Sequence, residues 1–460
     1  MKKLLVLLFC IISIPLCGAT YYCSTTGNDS TGTGSIDNPW RSPVYSASRL
    51  TSSGDILIIR AGTYNIVTSP ASMKSAAIAP RAANCTIKAY SGETVILQGS
   101  NTGNYGVSPT QGVIGNYAAG GSMQNAITID GFTIKGIVSL EGGSNHVLKN
   151  CDISVGGDSW SGIGFGDVLW IEAVTGATIQ NNKIHDNIEI AGSGNSPLIM
   201  VYSSNSCIFE NNNIYNACYW GLYLKNSNTN NIVRYNYFYN NSRAGFHTAS
   251  GGSSSTTNVY QNIFVGNNTA HATGETGEGG ISLNANHTGI NIYNNTFYNN
   301  YYSDIKKNLY DSTVTFSSWN NIHYNAQTYK IAFPNGATSL GASLLYCNYN
   351  NYYGTGAWIK NGTTYSSLAT WAAAAVTNGV SGAEAHSVAT DPGFLNGSGH
   401  FNTPTDFKRS SYMANGRGGS YSTVMGAYIT GTEEIGVTMS TLNDTQAPSA
   451  PQGVQIQIVQ

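Results

Sequence analysis

One phrase recurs nine times along this chain and limits what it can fold into. An apolar residue comes first, an Asn usually stands three positions later, and an Ile or Phe follows two after that. The clearest copies are ATIQNNKIHDN from Ala177, CIFENNNIYNA from Cys207, NIVRYNYFYNN from Asn231, TNVYQNIFVGN from Thr257 and INIYNNTFYNN from Ile290. Alignment on the key position gives Phe132, Cys151, Asn182, Asn212, Asn236, Asn262, Asn295, Asn320 and Asn350, in steps of 19, 31, 30, 24, 26, 33, 25 and 30 residues. A unit this short cannot bury its own apolar face, so neighbouring units must stack.

Within each unit apolar and polar residues alternate over four to six positions, the period of a strand. The residue two past the key position is Ile134, Ile153, Ile184, Ile214, Phe238, Phe264, Phe297, Ile322 or Tyr352, none of them charged, so this position faces inward. Helical periodicity is nearly absent from the repeat zone, which excludes helical solenoids. Variable steps exclude a propeller, whose blades each need four strands. What remains is an all-β coil of short parallel strands, one full coil per unit. The key Asn suits a sharp bend, because Asn tolerates left-handed backbone. Stacked in register, its amide also bonds to the Asn above and below. Cys151 stands on the same rung and is expected to pack in that stack.

The ends read differently. Lys2 and Lys3 precede an apolar run from Leu4 to Leu16, and Cys17-Gly18-Ala19 offers small residues for cleavage, so residues 1–19 read as a signal peptide. No other segment is long and apolar enough to span a membrane. Loss of the leader removes two lysines and leaves 19 basic against 23 acidic residues. With 10% charged residues overall, the chain carries no electrostatic footprint for nucleic acid. DTQAPSAP from Asp444 opens a Pro-rich tail. The division is therefore a leader over residues 1–19, one solenoid domain over 20–441 and a tail over 442–460. Thr363 to Ala375 is the one helix expected after the leader. Six cysteines remain in the mature chain; Cys23 with Cys85 and Cys207 with Cys218 are the pairs considered for disulfides.

The repeats, the opening YYCSTTGNDSTGTGSIDNPWRSPVYSASRLTSSGDILIIRAGTY and the closing YSSLATWAAAAVTNGVSGAEAHSVATDPGF together resemble secreted right-handed parallel β-helix proteins of the pectate lyase-like superfamily. The resemblance covers most of the mature chain. It implies a right-handed parallel β-helix with an N-terminal cap and an irregular C-terminal closure, exported from the cell.

Chemistry in such a solenoid sits beside one sheet. Candidate groove strands are GLYLKN from Gly221, AGFHTA from Ala244 and GGISLN from Gly279. If Leu222 and Leu224 point inward, alternation puts Tyr223 and Lys225 outward, His247 beside Tyr223, and Ser282 and Asn284 outward one coil on. Tyr202 lies one coil earlier, and Arg243 sits just before His247. Tyr223, Lys225, Arg243, His247 and Tyr202 form a kit for β-elimination on a uronate polymer. A cation neutralises the carboxylate, a base takes the adjacent proton, and an acid protonates the departing glycosidic oxygen. GLYLKNSNTNNIVRYNYF resembles a segment of β-helix alginate and chondroitin lyases in which a Lys at the end of the groove strand is the base, a role that would fall on Lys225. The Arg-His pair of those enzymes is missing; Ser250 and Gly251 stand there, with Arg243 and His247 as the substitutes considered.

Two other readings remain open. Hydrolysis needs two carboxylates flanking the bond, with Glu172, Asp186, Glu189, Glu210, Glu275 and Glu278 as candidates; Glu275 and Glu278 lie in a Gly-rich loop placed to overhang the groove. A glycan-binding or surface β-helix protein without catalysis is the other. Calcium-dependent pectate lyases carry Asp clusters on adjacent coils; no equivalent is found, since Asp186 stands alone and Asp158 and Asp167 lie in glycine-rich turns. No cofactor is required, and Ca2+ stays open without a ligand cluster. The partner expected is an extracellular polysaccharide, met by a monomer.

Overall fold

The computed structural model describes residues 18–68, 75–101, 112–118, 120–154, 167–187, 196–249, 252–273, 277–307, 313–334, 340–396, 401–412 and 414–437. Three sheets run the length of the molecule, with 12, 11 and 12 strands among the described residues. Sheet one runs from Thr20–Cys23 to Leu344–Asn348, sheet two from Gly62–Thr68 to Asn351–Tyr353, and sheet three from Ala76–Ile78 to Thr363–Tyr365. The middle coil shows the plan. Ile208–Glu210 lies in sheet one, Asn213–Tyr215 in sheet two and Leu222–Lys225 in sheet three, and the chain then returns to sheet one at Ile232–Arg234, which pairs in parallel with Ile208–Glu210. The chain is a right-handed parallel β-helix.

The three-residue strands of sheets one and two bury their central residue. Ile179, Phe209, Val233, Val259 and Ile292 fill the interior from sheet one. Ile134, Ile153, Ile184, Ile214, Phe238, Phe264 and Phe297 fill it from sheet two. Here the eighth unit is corrected: Phe297 pairs with His323, not Ile322. His323 lies in an interior ring stack, 5.0 Å from Phe297 and 4.8 Å from Tyr352. Its Nδ1 lies 3.0 Å from Oδ2 of the buried Asp304.

The bend between sheets one and two divides the work expected of one Asn between two residues. The left-handed residue is the one before the key position: Asn181, Asn211, Tyr235, Gln261, Asn294, Asn320 and Tyr349, with φ between 52° and 57°. The next residue builds the ladder. Asn182, Asn212, Asn236, Asn262, Asn295 and Asn321 each donate from Nδ2 to the Oδ1 of the Asn one coil on, ending at Asn350, at 2.9–3.2 Å. Asn321 therefore takes the rung expected of Asn320. Cys151 starts the stack, its backbone N–H donating to Asn182 Oδ1 at 2.9 Å. A second ladder, Asn241–Asn267–Asn300, holds the corner after sheet two at 2.9 and 3.0 Å.

Two helices close the ends. Pro43–Ser48, which the sequence reading lacked, caps the N-terminal coil. Leu368–Thr377 starts five residues later than expected, because Thr363–Tyr365 is a strand antiparallel to Ala357–Lys360. Ser367 and Thr370 form its capping box. The chain then turns back along the solenoid. Asn320 Nδ2 donates to Ser422 O at 2.8 Å, Gly436 N to Tyr235 O at 2.7 Å and Val437 N to Asn213 Oδ1 at 3.1 Å. Along this strap Phe401, Phe407, Ala427, Tyr428 and Ile435 cover Tyr237, Ile263 and Val265. The two disulfides considered do not form: Cys23, Cys85, Cys207 and Cys218 are thiols, their sulfurs donating to backbone carbonyls of Arg41, Ser52, Asn205 and Ser196. Residues 1–17 of the leader and 438–460 of the tail lie outside the described residues, in which no helix is long and apolar enough to cross a membrane.

Candidate active site

Sheet three carries the candidate residues because its strands are longer and present two outward positions per coil. One outward row reads Trp170, Met200, Tyr223, His247, Ser282 and Lys306 in register. The other reads Glu141, Glu172, Tyr202, Lys225 and Ala249. Asn284 continues this second row, since Leu283 pairs with Thr248. Leu222, Leu224, Phe246, Ile281 and Leu283 point into the core. The pairing of Tyr223 with His247 is the one expected from alternation.

Exposure divides the two rows. Glu172, Tyr202, Lys225 and Asn284 are half-buried. Tyr223, His247 and Ser282 retain 4, 2 and 0% of their exposure, so they face outward but are covered. The cover is Trp220. Its ring stacks on His247 with centroids 4.3 Å apart and 6° between planes, and it contacts Tyr223 at 5.0 Å. Trp220 Nε1 donates to Glu278 Oε2 at 2.5 Å, so Glu278 fastens the cover and does not stand free over a groove. The Arg243 guanidinium packs on the rings of Tyr219 at 4.6 Å and Trp220 at 5.8 Å. Lys306 is wholly buried, 5.5 Å from the Tyr302 ring centroid.

The electrostatics follow from this burial. Desolvation pushes the His247 pKa well below its ordinary value, and the nearby charges of Lys306, Arg243 and His287 push the same way. His247 is therefore neutral at neutral pH and does not supply the cation expected of it; Arg243 and Lys306 are the cations beside it. Burial raises the Glu278 pKa against the opposing Trp220 bond and the charges of Lys306 and Arg243. Burial likewise raises the Tyr223 pKa, so its phenol keeps its proton.

Around Lys225 the face is more open. Its Nζ lies 5.9 Å from the Tyr223 ring centroid. Tyr202, directly before it in the row, stacks on Trp170 at 6.3 Å and 14°, and Trp170 Nε1 donates to Glu172 Oε2 at 3.2 Å. Asp167, passed over in the sequence as a turn residue, lies two positions before Leu169, as Trp220 lies two before Leu222. It is 1% exposed, and neither carboxylate oxygen has a hydrogen-bond partner among the described residues. Burial raises its pKa well above the ordinary carboxylate range, against the pull of Lys225.

The other acids considered scatter. Glu210 lies on sheet one, 2.6 Å from Arg234. Asp186 follows a strand of sheet two and binds His185 Nδ1 at 2.7 Å, while Asp152 takes the Nε2 side at 2.9 Å. Burial lowers the His185 pKa, but these two carboxylates outweigh it and raise it overall. Glu189, Glu275, Asp158, Ser250 and Gly251 lie outside the described residues. Among the described residues no trio of His, Cys, Asp or Glu is placed to hold a metal ion. Trp220, Trp170, Lys306 and Asp167 were missed as site residues. Lys306 alone had a sequence signal, the alternation in SDIKK that places Ile305 inward and Lys306 outward.

A family model described as right handed beta helix region matches residues 117–297. No curated protein matches the chain. Pectate lyase Pel9A is 13% identical, over 90% of this chain and 96% of its own, with a TM-score of 0.49. The A-module of mannuronan C-5 epimerase AlgE6 from Azotobacter vinelandii is 17% identical, over 69% and 90%, with a TM-score of 0.46. The GH136 lacto-N-biosidase from Eubacterium ramulus is 12% identical, over 73% and 64%, with a TM-score of 0.44. The fold is thus that of a right-handed parallel β-helix, which the family model matches over residues 117–297. No residue's role is carried over from these structures.

Proposed function

We propose that this protein acts on an extracellular polysaccharide and cleaves a uronate-containing chain by β-elimination. The observation that carries the reading is the half-buried Lys225 at the outward end of its strand, beside Tyr202 and over the edge of Tyr223, with Arg243 and Lys306 on the same face. In this scheme a cation neutralises the uronate carboxylate, so that the proton on the adjacent carbon becomes acidic. The Lys225 amine takes that proton. The electron pair forms the carbon–carbon double bond and expels the glycosidic oxygen, which Tyr223 or Tyr202 protonates. A phenol whose pKa is raised by burial keeps its proton until the leaving oxygen needs it, which suits Tyr223 as the acid. The leader read in residues 1–19 would bring the enzyme to such a polymer outside the cell.

The test is a lyase assay on alginate, polygalacturonate, chondroitin and glucuronan, following the ultraviolet absorbance of the unsaturated uronate, with Lys225→Ala in parallel. Absorbance that appears with the wild type and vanishes in the variant is the expected result. An unchanged rate in Lys225→Ala would remove Lys225 from the chemistry. One observation favours hydrolysis as a second reading: Asp167 is a carboxyl that burial keeps protonated, as a general acid must be. Hydrolysis would give reducing ends without the double bond.

A further inference from the structure

Sheet one has an outward face that the proposed chemistry does not use. One of its rows is aromatic toward the C-terminal end: Tyr260, Tyr293 and Trp319 lie in register on successive strands. Their rings stack at 4.8 Å, within 6° of parallel. The row beside them reads Asn258, Asn291, Ser317 and Tyr346, all half-buried. Neither row carries a charge over these coils. The returning strap lays two further side chains here. The Tyr421 ring crosses the stack, 5.8 Å from Tyr293 at 69° and 5.0 Å from Trp319 at 70°, and stays 39% exposed. Arg417 is anchored by its backbone N–H, which donates to Asn320 Oδ1 at 2.8 Å. Its guanidinium carbon stands 4.6 Å from the ring centroids of Tyr346 and Tyr421 and 5.1 Å from that of Trp319.

The Arg417 guanidinium is held in place but not neutralised. Other arginines have acceptors: Arg60 binds Glu93, Arg234 binds Glu210, and Arg409 binds the carbonyls of Met425 and Tyr428. Arg417 is exposed, and among the described residues its side chain makes no hydrogen bond and no ion pair. Glu384, tied to Cys347 on the last strand of this sheet, is buried and already takes donors from Cys347, Tyr352, Trp371 and Ser387. Aromatic rings attract a guanidinium through their π surface and leave its in-plane N–H groups available. Such a fork binds a carboxylate through two parallel hydrogen bonds. Tyr421 offers ring surface beside it for the apolar side of a sugar. Asn291 Nδ2 bonds Asn258 Oδ1 at 3.0 Å, which leaves an acceptor on Asn291 and a donor on Asn258 for sugar hydroxyls.

We infer that sheet one carries a second polysaccharide site, separate from the sheet-three face, in which Arg417 binds the carboxylate of an acidic sugar and Tyr421 packs on its ring. The site holds polymer and performs no chemistry. It does not rest on the lyase reading of Lys225, which lies on a different sheet.

The experiment measures binding. The wild type and Lys225→Ala, each with and without Arg417→Gln, are run in native gels cast with polygalacturonate, alginate or neutral dextran. The acidic polymers should retard both backgrounds and dextran should not. Arg417→Gln should weaken the apparent affinity by roughly tenfold, the effect of losing a charge-assisted pair. An affinity that Arg417→Gln leaves unchanged overturns the inference. So does equal retardation by dextran, or no retardation by either acidic polymer. Loosening of the strap would mimic loss of the site, so a second measurement uses the unmutated chain. Phenylglyoxal labels exposed arginines, and peptide mass mapping reads each one. Polygalacturonate should slow the labelling of Arg417 but not of Arg41, which is exposed at the N-terminal cap, and dextran should protect neither. Equal labelling of Arg417 with and without polygalacturonate overturns the inference. Neither readout requires a bond to break, so the lyase reading can fail while this site stands, and the reverse.

Discussion

Replacing Asn236 by Ala tests whether the ladder carries the fold or merely decorates it. The Asn236 side chain is fully buried and makes five hydrogen bonds. Its Oδ1 accepts from the backbone N–H of Asn212 at 3.0 Å and from Asn212 Nδ2 at 2.9 Å. Its Nδ2 donates to Phe209 O at 2.8 Å, Arg234 O at 2.9 Å and Asn262 Oδ1 at 3.0 Å. Truncation strands two donors and weakens three acceptors where water does not reach. Each stranded buried group costs about 1–3 kcal/mol, and relaxation recovers part of the total, so the loss should be about 3–5 kcal/mol. The control is Asn181→Ala, at a left-handed position with φ 56°, where the strain on Ala costs about 1–2 kcal/mol. Urea unfolding followed by circular dichroism gives both values. Hydrogen exchange shows where the damage lies, since a solenoid transmits it mainly to neighbouring coils. Exchange should quicken in 208–215 and 232–239 first. If the two variants lie within about 1 kcal/mol of each other, the ladder is not the source of stability argued here.

Two further outcomes follow from the buried titratable groups. His287 is fully buried, and burial pulls its pKa down to about 4. The unfolded chain takes up this proton near pH 6.5 and the folded chain only near 4. Its contribution is thus present above 6.5 and lost as the pH falls to 4, by about 3 kcal/mol in all. His287→Leu should flatten that limb in urea titrations at successive pH values; an unchanged slope would place the acid sensitivity elsewhere. Glu278→Ala removes the acceptor of Trp220 Nε1, and the tryptophan emission should shift to the red and become more accessible to acrylamide. Unchanged emission would mean that ring stacking on His247 holds the cover without Glu278.

Most of the fold was legible because strand alternation and stacking are local rules repeated many times. The failure at Ile322 shows where they stop. Two asparagines stand together at Asn320-Asn321, and the apolar Ile322 next to the charged-capable His323 invites the register that buries Ile. The structure inverts this because both residues have distant partners. His323 finds Asp304 at 3.0 Å inside the coil. Ile322 faces outward yet remains 1% exposed, beneath the returning strap: a Cβ on Gly426 would stand 2.5 Å from Ile322 Cδ1. An outward Ile is a mistake only if nothing covers it, and its cover lies about a hundred residues away in sequence. The cysteine pairs failed for a related reason. Spacing shows which thiols share a region, but each sulfur here is directed to a carbonyl instead.

The site was legible as a face but not as a surface. Alternation placed Tyr223, His247 and Ser282 outward, and the strand register agrees. Whether an outward residue meets substrate depends on the corner before the strand, and corner residues follow no period. Trp220, Ala244 and Gly279 occupy the same place on three successive coils, two positions ahead of Leu222, Phe246 and Ile281. Only the Trp is large enough to fold over its neighbours. That one choice of side chain removes His247 from water, lowers its pKa and withdraws its expected role as a cation. Two residues on, in the second outward row, Lys225 escapes the cover and stays half-buried. The two rows therefore differ in kind. The row under Trp220 is covered, and the row of Glu172, Tyr202 and Lys225 is only half-buried. A substitution in the first row should alter stability together with activity, whereas Lys225→Ala should alter activity alone. A coupled loss of stability in that variant would show that the open row, too, belongs to the packed structure.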